Sequence, residues 1–175
     1  MTPAENTLST PGQAYVLSKI VSGGQTGVDR AALDAALEND FPCGGYCPKG
    51  RRAEDGMIPI RYPLQEHGST KYARRTHANV LQSQGTLIIF EQKLEGGTAL
   101  TKDYCLQLGK PMVSVNARLL TFEQAAEKTL DHIRKFRISS LNVAGPRRSE
   151  WTHGYRYAYQ CVDRIIKACI QPTSG

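Results

Sequence analysis

The sequence has no apolar run long enough to cross a bilayer. Its N-terminus carries no basic segment followed by an apolar one, so no secretory signal is visible. These two absences lead to the expectation of a cytoplasmic protein without a membrane partner. Aromatic residues are sparse, at 7% with a single Trp, and the cations do not interleave with them as single-strand binders require. Nucleic acid is therefore not the expected partner, although the net charge is +6 and the isoelectric point about 9.1. Cysteine is odd in number: Cys43, Cys47, Cys105, Cys161 and Cys169. With no export signal, that count argues against a disulfide scaffold. Cys43 and Cys47 form an isolated C-x3-C with no second pair, and no metal site is expected there.

What is present is the make-up of an ordinary globular chain: 175 residues, 40% apolar and 22% charged. Residues 1–14 are rich in Pro, Thr and Ser without periodicity and read as a flexible tail; residues 171–175 read the same way. Between them, residues 15–170 are expected to form one domain. Tyr15 to Val21 reads as a buried strand, and Val28 to Glu38 has helical spacing. A long irregular stretch runs from Phe41 to about Ser69, with one short strand near its start. Tyr72, Thr76 and Val80 share one face of a second helix. Thr86 to Phe90 is a continuous apolar strand of the kind covered on both faces. A helix over Gly97 to Leu108, a strand at Pro111–Val115, a helix opened by a capping box at Thr121 and Gln124, a strand over Ile138 to Ala144 and a closing helix through Cys169 complete the alternation. The fold class expected is α/β: a Rossmann-like three-layer sandwich on a mainly parallel sheet of about five strands. Right-handed crossovers place every strand's C-terminal end on one edge.

Three turns on that edge stand out. Gly23, Gly24, Gln25, Thr26 and Gly27 follow the first strand and lead into a helix. Glycines admit positive φ and close ligand approach, and the helix start offers free N–H groups and partial positive charge. Together they make a seat for phosphate or another oxyanion, to which Thr26 can add a hydroxyl. Asp29 either caps the helix or meets a ribose hydroxyl. The second turn is Glu95-Gly96-Gly97-Thr98, and the third runs from Ala144 to Arg147. Glycines chosen only for backbone geometry would explain either Gly-rich turn alone; two of like composition at equivalent strand ends favour a shared anionic ligand.

The irregular stretch adds Lys49, Arg51 and Arg52, three cations beside Gly50 able to close over a phosphate, followed by Glu54 and Asp55, which could bind a metal, act as a base or simply balance the charge. On the second helix Arg75 and Asn79 lie one turn apart, facing either the cleft or solvent.

The motifs SGGQTGVDRAALDAAL, CPKGRRAEDG, RTHANV, GTLIIF, EGGTALT and LNVAGPR occur in that order. In this the chain resembles the putative molybdenum carrier family over about residues 18–168, within the SLOG superfamily that includes the LOG-type nucleotide-processing proteins. The resemblance implies a Rossmann-like fold, a homo-oligomer (dimer or tetramer) and binding of molybdenum cofactor, a phosphorylated pterin. The wider superfamily implies a nucleotide-like ligand on the two Gly-rich turns. Arg75 is the candidate counterpart of an arginine that LOG-type hydrolases carry on the preceding helix. Those enzymes place a catalytic Glu three residues after the Thr of the second turn; here that position is Thr101, and Glu95 precedes the glycines.

Two functions are therefore expected. The first is a carrier that holds a phosphorylated pterin or nucleotide in the edge cleft through Gly23, Gly24, Gln25, Thr26, Gly27, Asp29, Lys49, Gly50, Arg51, Arg52, Arg75, Gly96, Gly97, Thr98 and Arg147. The alternative is a LOG-like nucleotide-directed hydrolase in which Asp29, Asp55 or Glu95 supplies acid–base chemistry.

Overall fold

The structure is a computed structural model and describes residues 15–170. The tails expected over residues 1–14 and 171–175 lie outside the described residues. In chain order the elements are β1 (Lys19–Val21), α1 (Val28–Glu38), β2 (Cys43–Gly44), β3 (Tyr46–Cys47), β4 (Arg52–Ala53), β5 (Gly56–Met57), β6 (Gln65–Glu66), α2 (Tyr72–Gln82), β7 (Gly85–Phe90), α3 (Gly96–Gln107), β8 (Met112–Asn116), α4 (Phe122–Phe136), β9 (Ser140–Ala144) and α5 (Gly154–Ile170). Among the described residues no helix is long and apolar enough to cross a membrane.

Five strands form the central sheet in the order β2-β1-β9-β7-β8, and every neighbouring pair is parallel. Strand character follows exposure. The inner strand β7 is buried from Gly85 to Ile89, as its unbroken apolar run requires. The edge strand β8 alternates buried and half-buried residues. From β1 the chain crosses to β2 on one side; from β7 it crosses to β8 on the other. Right-handed crossovers therefore put α1 and α3 on opposite faces. Helix α5 packs against α1 and α4, and α2 packs against α3, which completes three layers. The main core lies between the sheet and the α1, α4 and α5 layer, with Ile20, Leu87, Ile89, Ile133, Leu141, Val162 and Ile166 at its centre.

Two local expectations are corrected. The first strand is short: Ser18 and Lys19 both donate to the Ser139 carbonyl, and the partner strand β9 begins only at Ser140, so residues upstream of Lys19 have no ladder to join. The stretch from Phe41 to Ser69 is not irregular after β2. β3 pairs in parallel with β6, and β4 with β5 forms an antiparallel hairpin. Leu33, Cys47, Ile58, Tyr62 and Leu64 close a second core beneath them. These strands are two residues long, too short to carry a periodic signal.

Helix α4 starts as the sequence indicates. Thr121 accepts from the Gln124 N–H at 3.3 Å, and the Gln124 side chain accepts from the Thr121 N–H at 3.0 Å. Thr121→Ala is expected to cost about 1 kcal/mol and to lower Tm by about 2–4 °C, measured by thermal denaturation.

Candidate functional site

The C-terminal ends of β1 and β9 and the turn that opens α3 after β7 surround one cleft. Gly23, Gln25 and Asp29 line one wall, Arg75, Thr76 and Asn79 of α2 another, and Gly97, Thr98 and Thr101 of α3 a third. Asn142 to Gly145, Arg147 and Glu150 form the floor and mouth.

The first turn is built around Asp29. Its carboxylate accepts from the Gln25 N–H at 3.3 Å and from Arg75 Nη1 at 3.2 Å, with both side chains buried. The Gly23 N–H also favours its charge. Burial nevertheless outweighs these donors and pushes the Asp29 carboxyl above its usual range. A Cβ at position 23 would lie 1.5 Å from Arg75 Nη1, so a side chain there would force the guanidinium to move. Gly27 takes φ +80° as the N-cap of α1, and a Cβ would meet the Pro146 carbonyl at 2.7 Å. The glycines thus admit the Arg75 guanidinium and the chain after β9 as close neighbours.

Several donors of the turn are already engaged. The Thr26 N–H donates to Gln25 Oε1 at 3.0 Å, and the Arg30 N–H donates to the Gln25 carbonyl. The Thr26 hydroxyl donates to Glu54 and accepts from the Arg148 N–H. Two donors remain. Gln25 Nε2 and Arg75 Nε are buried and have no hydrogen-bond partner, and both residues line the cleft. An unpaired buried donor costs about 1–3 kcal/mol, so these groups mark where an acceptor is missing.

The cation loop is placed differently from Arg75. Arg51 has φ +53°, and its guanidinium donates to the carbonyls of Ile58, Pro59, Tyr62 and Leu64 at 2.9–3.2 Å. It fastens the second core. Lys49, Gly50 and Arg52 are exposed and do not line the cleft; the Gly50 N–H donates to Glu66.

The acidic residues beside them form a latch. Glu54 accepts from Thr26, from the Ser149 hydroxyl at 2.5 Å and from the Ser149 N–H at 3.1 Å, while its own N–H donates to Gln25 Oε1. Asp55 holds Arg30 through two bonds at 2.5 and 2.7 Å. The β4–β5 hairpin is thereby tied across the turn to the segment after β9. Asp55 is spent on Arg30. Glu95 is exposed, pairs with Lys93 at 2.5 Å, and lies in a neighbouring pocket. Of the three acidic candidates only Asp29 lines the main cleft.

The second turn opens α3 one residue earlier than its spacing suggests, with Gly96 at φ +50°. Gly97 and Thr98 line the cleft; Gly24 and Gly96 do not. Arg75 and Asn79 both face it. Asn79 also exchanges two hydrogen bonds with the Tyr46 backbone, as a strand neighbour would. Asn142, Thr101 and Glu150 also line the cleft, and sequence reasoning did not select them. Asn142 sat in a strand read only for its apolar residues, although its place near the end of β9 was a usable signal.

The latch sets a pH dependence. Burial opposes the Glu54 charge, but donation from Ser149 and Thr26 and the nearby Arg147 hold its carboxyl below the ordinary value of 4.5. Arg30 donation does the same for Asp55, below 3.8. A carboxyl depressed on folding adds stability above its unfolded value, and that contribution is lost as pH falls through the folded value. Hairpin protection in native-state hydrogen exchange is expected to be flat above about pH 5 and to fall below pH 4; Glu54→Gln should weaken protection at neutral pH and flatten the profile.

A sequence profile of the circularly permutated YpsA SLOG family matches residues 20–166. Among solved structures, the chain is similar to a crystal structure from Syntrophus aciditrophicus SB named "putative molybdenum carrier protein". The identity is 39%, the TM-score is 0.84, and the match covers 91% of this chain and 98% of that one. No curated protein matches. The profile spans the sheet and all three turns on its edge, and on that ground the chain belongs to the circularly permutated YpsA SLOG family.

Proposed function

We propose that this protein binds and carries a phosphate-bearing pterin or nucleotide-like ligand, molybdenum cofactor being the pterin that the relative's name suggests. The observation that carries this reading is the pair of buried, unpartnered donors Gln25 Nε2 and Arg75 Nε on residues that line one cleft. Arg147, half-buried at the mouth, adds a second positive charge. The residues fit a phosphate: two guanidinium groups and an amide N–H can each donate to its oxygens. Gly23 admits Arg75 to the turn, and Gly97 and Thr98 form the opposite wall. Gly24, Gly27 and Arg51 support this geometry from behind, while Lys49, Gly50 and Arg52 flank it on the outer loop. The ligand is cargo in this reading, and the cleft needs no catalytic set.

The hydrolase alternative keeps one supporting observation. Asp29 is a buried carboxyl with a raised pKa at the cleft, as a proton donor requires. One experiment separates the two. The protein is titrated calorimetrically with molybdenum cofactor, AMP and ADP-ribose, and each mixture is then chromatographed. Binding with intact ligand supports the carrier; turnover lost in Asp29→Asn supports the enzyme; absence of heat with all three overturns both. Arg147→Ala should weaken the bound ligand roughly tenfold, the value of one charge-assisted hydrogen bond, with only a small change in Tm because its ion pair with Glu150 is exposed and its remaining contact is with the Tyr72 ring at 5.7 Å.

We also propose a homo-oligomer. Leu81 on α2 and Leu106 on α3 are 52% and 63% exposed on neighbouring helices, apolar area that a second copy can cover. Light scattering should give a dimer or tetramer mass; a monomer at all concentrations would reject this.

A further inference from the structure

A second pocket adjoins the first, and Thr98 and Glu150 line both. Its charge balance differs. The first cleft sets Arg75 and Arg147 against Asp29 and Glu150; the second presents Glu91, Glu95 and Glu150 against a single cation, Lys93. Lys93 is already paired with Glu95, and Glu150 with Arg147. Glu91 takes part in no ion pair or side-chain hydrogen bond among the described residues. It is half-buried and is the first residue after the inner strand β7, so its backbone is fixed by the sheet. Trp151 lines the same pocket. It is 93% buried by its 7% exposure, it packs on Tyr157, and its indole N–H has no partner.

We infer that this pocket takes the ring of the ligand whose phosphate the first cleft holds, that the ring is a 2-amino-4-oxo heterocycle of the guanine or pterin class, and that Glu91 is the residue that selects it. The inference rests on the first cleft being a phosphate seat. A carboxylate only accepts hydrogen bonds, so an unpaired one in a pocket selects adjacent donors. The 2-amino-4-oxo edge presents a ring N–H beside an exocyclic amine, which together match two carboxylate oxygens. Adenine places its amine beside an acceptor nitrogen, which the same carboxylate repels. The Trp151 indole N–H supplies one donor for the acceptor side of the ring, and its bulk supplies apolar contact. Discrimination of this kind is strong, because the wrong ring leaves a desolvated polar group unpaired. The two pockets thus divide the roles, with Arg75 and Arg147 at the phosphate and Glu91 at the ring.

The test uses the full chain and four probes in calorimetric titrations: GMP, a 6-hydroxymethylpterin phosphate, AMP and pyrophosphate. GMP or the pterin phosphate should bind at least about tenfold more tightly than AMP, and which of the two is tighter identifies the ring. Glu91→Gln should reduce that preference to within about twofold and leave pyrophosphate affinity and Tm unchanged. Pyrophosphate binding with equal affinities for the three ring-bearing probes, or a preference that survives Glu91→Gln, overturns the ring subsite and leaves the phosphate seat standing. No binding of any probe overturns both.

Discussion

The buried contact between Asp29 and Arg75 is the constraint on which the edge of this sheet depends. It joins the first residues of α1 to the middle of α2, two elements that the main sheet does not place side by side. Removing either partner would leave an uncompensated buried charge, a loss of about 3–5 kcal/mol. It also explains Gly23, whose missing side chain is the space in which the guanidinium lies. The Gly-rich turn therefore has an anion of its own. Asp29 takes the N–H of Gln25, and the unpartnered donors are displaced outward onto side chains, Gln25 Nε2 and Arg75 Nε. An incoming anion at the cleft would meet Arg75 with one face of its guanidinium already held by Asp29.

The charges of the loop between β3 and α2 serve the fold first. Arg51 satisfies four carbonyls in a segment with too little secondary structure to satisfy them itself. Glu54 and Asp55 fix the hairpin over the turn through Thr26, Ser149 and Arg30. A row of alternating charges is here a set of fasteners, and the cations at the cleft itself come from α2 and from the segment after β9.

The chain belongs to the circularly permutated YpsA SLOG family, and the similar solved structure at 39% identity is named "putative molybdenum carrier protein". Of the acidic candidates, Asp55 and Glu95 are held in ion pairs outside the main cleft. The main cleft balances Arg75 and Arg147 against Asp29 and Glu150, and the pocket beside it carries an excess of carboxylates.

Sequence alone was sufficient for the parallel sheet, the order of helices and strands, the capping box at Thr121 and the three turns on one edge. Those features are local: periodicity, glycine spacing and cap chemistry act within a few residues. It also brought Arg75 and Asn79 one turn apart, but whether that face met solvent or the cleft depended on how α2 packs. Only tertiary structure decided that Arg51 is a clamp, that Thr26 is engaged by Glu54, that Asp29 fills the turn from within and that Glu91 stands unpaired in a pocket it shares with Trp151. The clamp closes on carbonyls 7 to 13 positions away, the Thr26 and Asp29 contacts span 28 and 46 positions, and the pocket is shared by distant segments. Charge in a sequence gives the number of available partners, and the packed chain decides which are already taken.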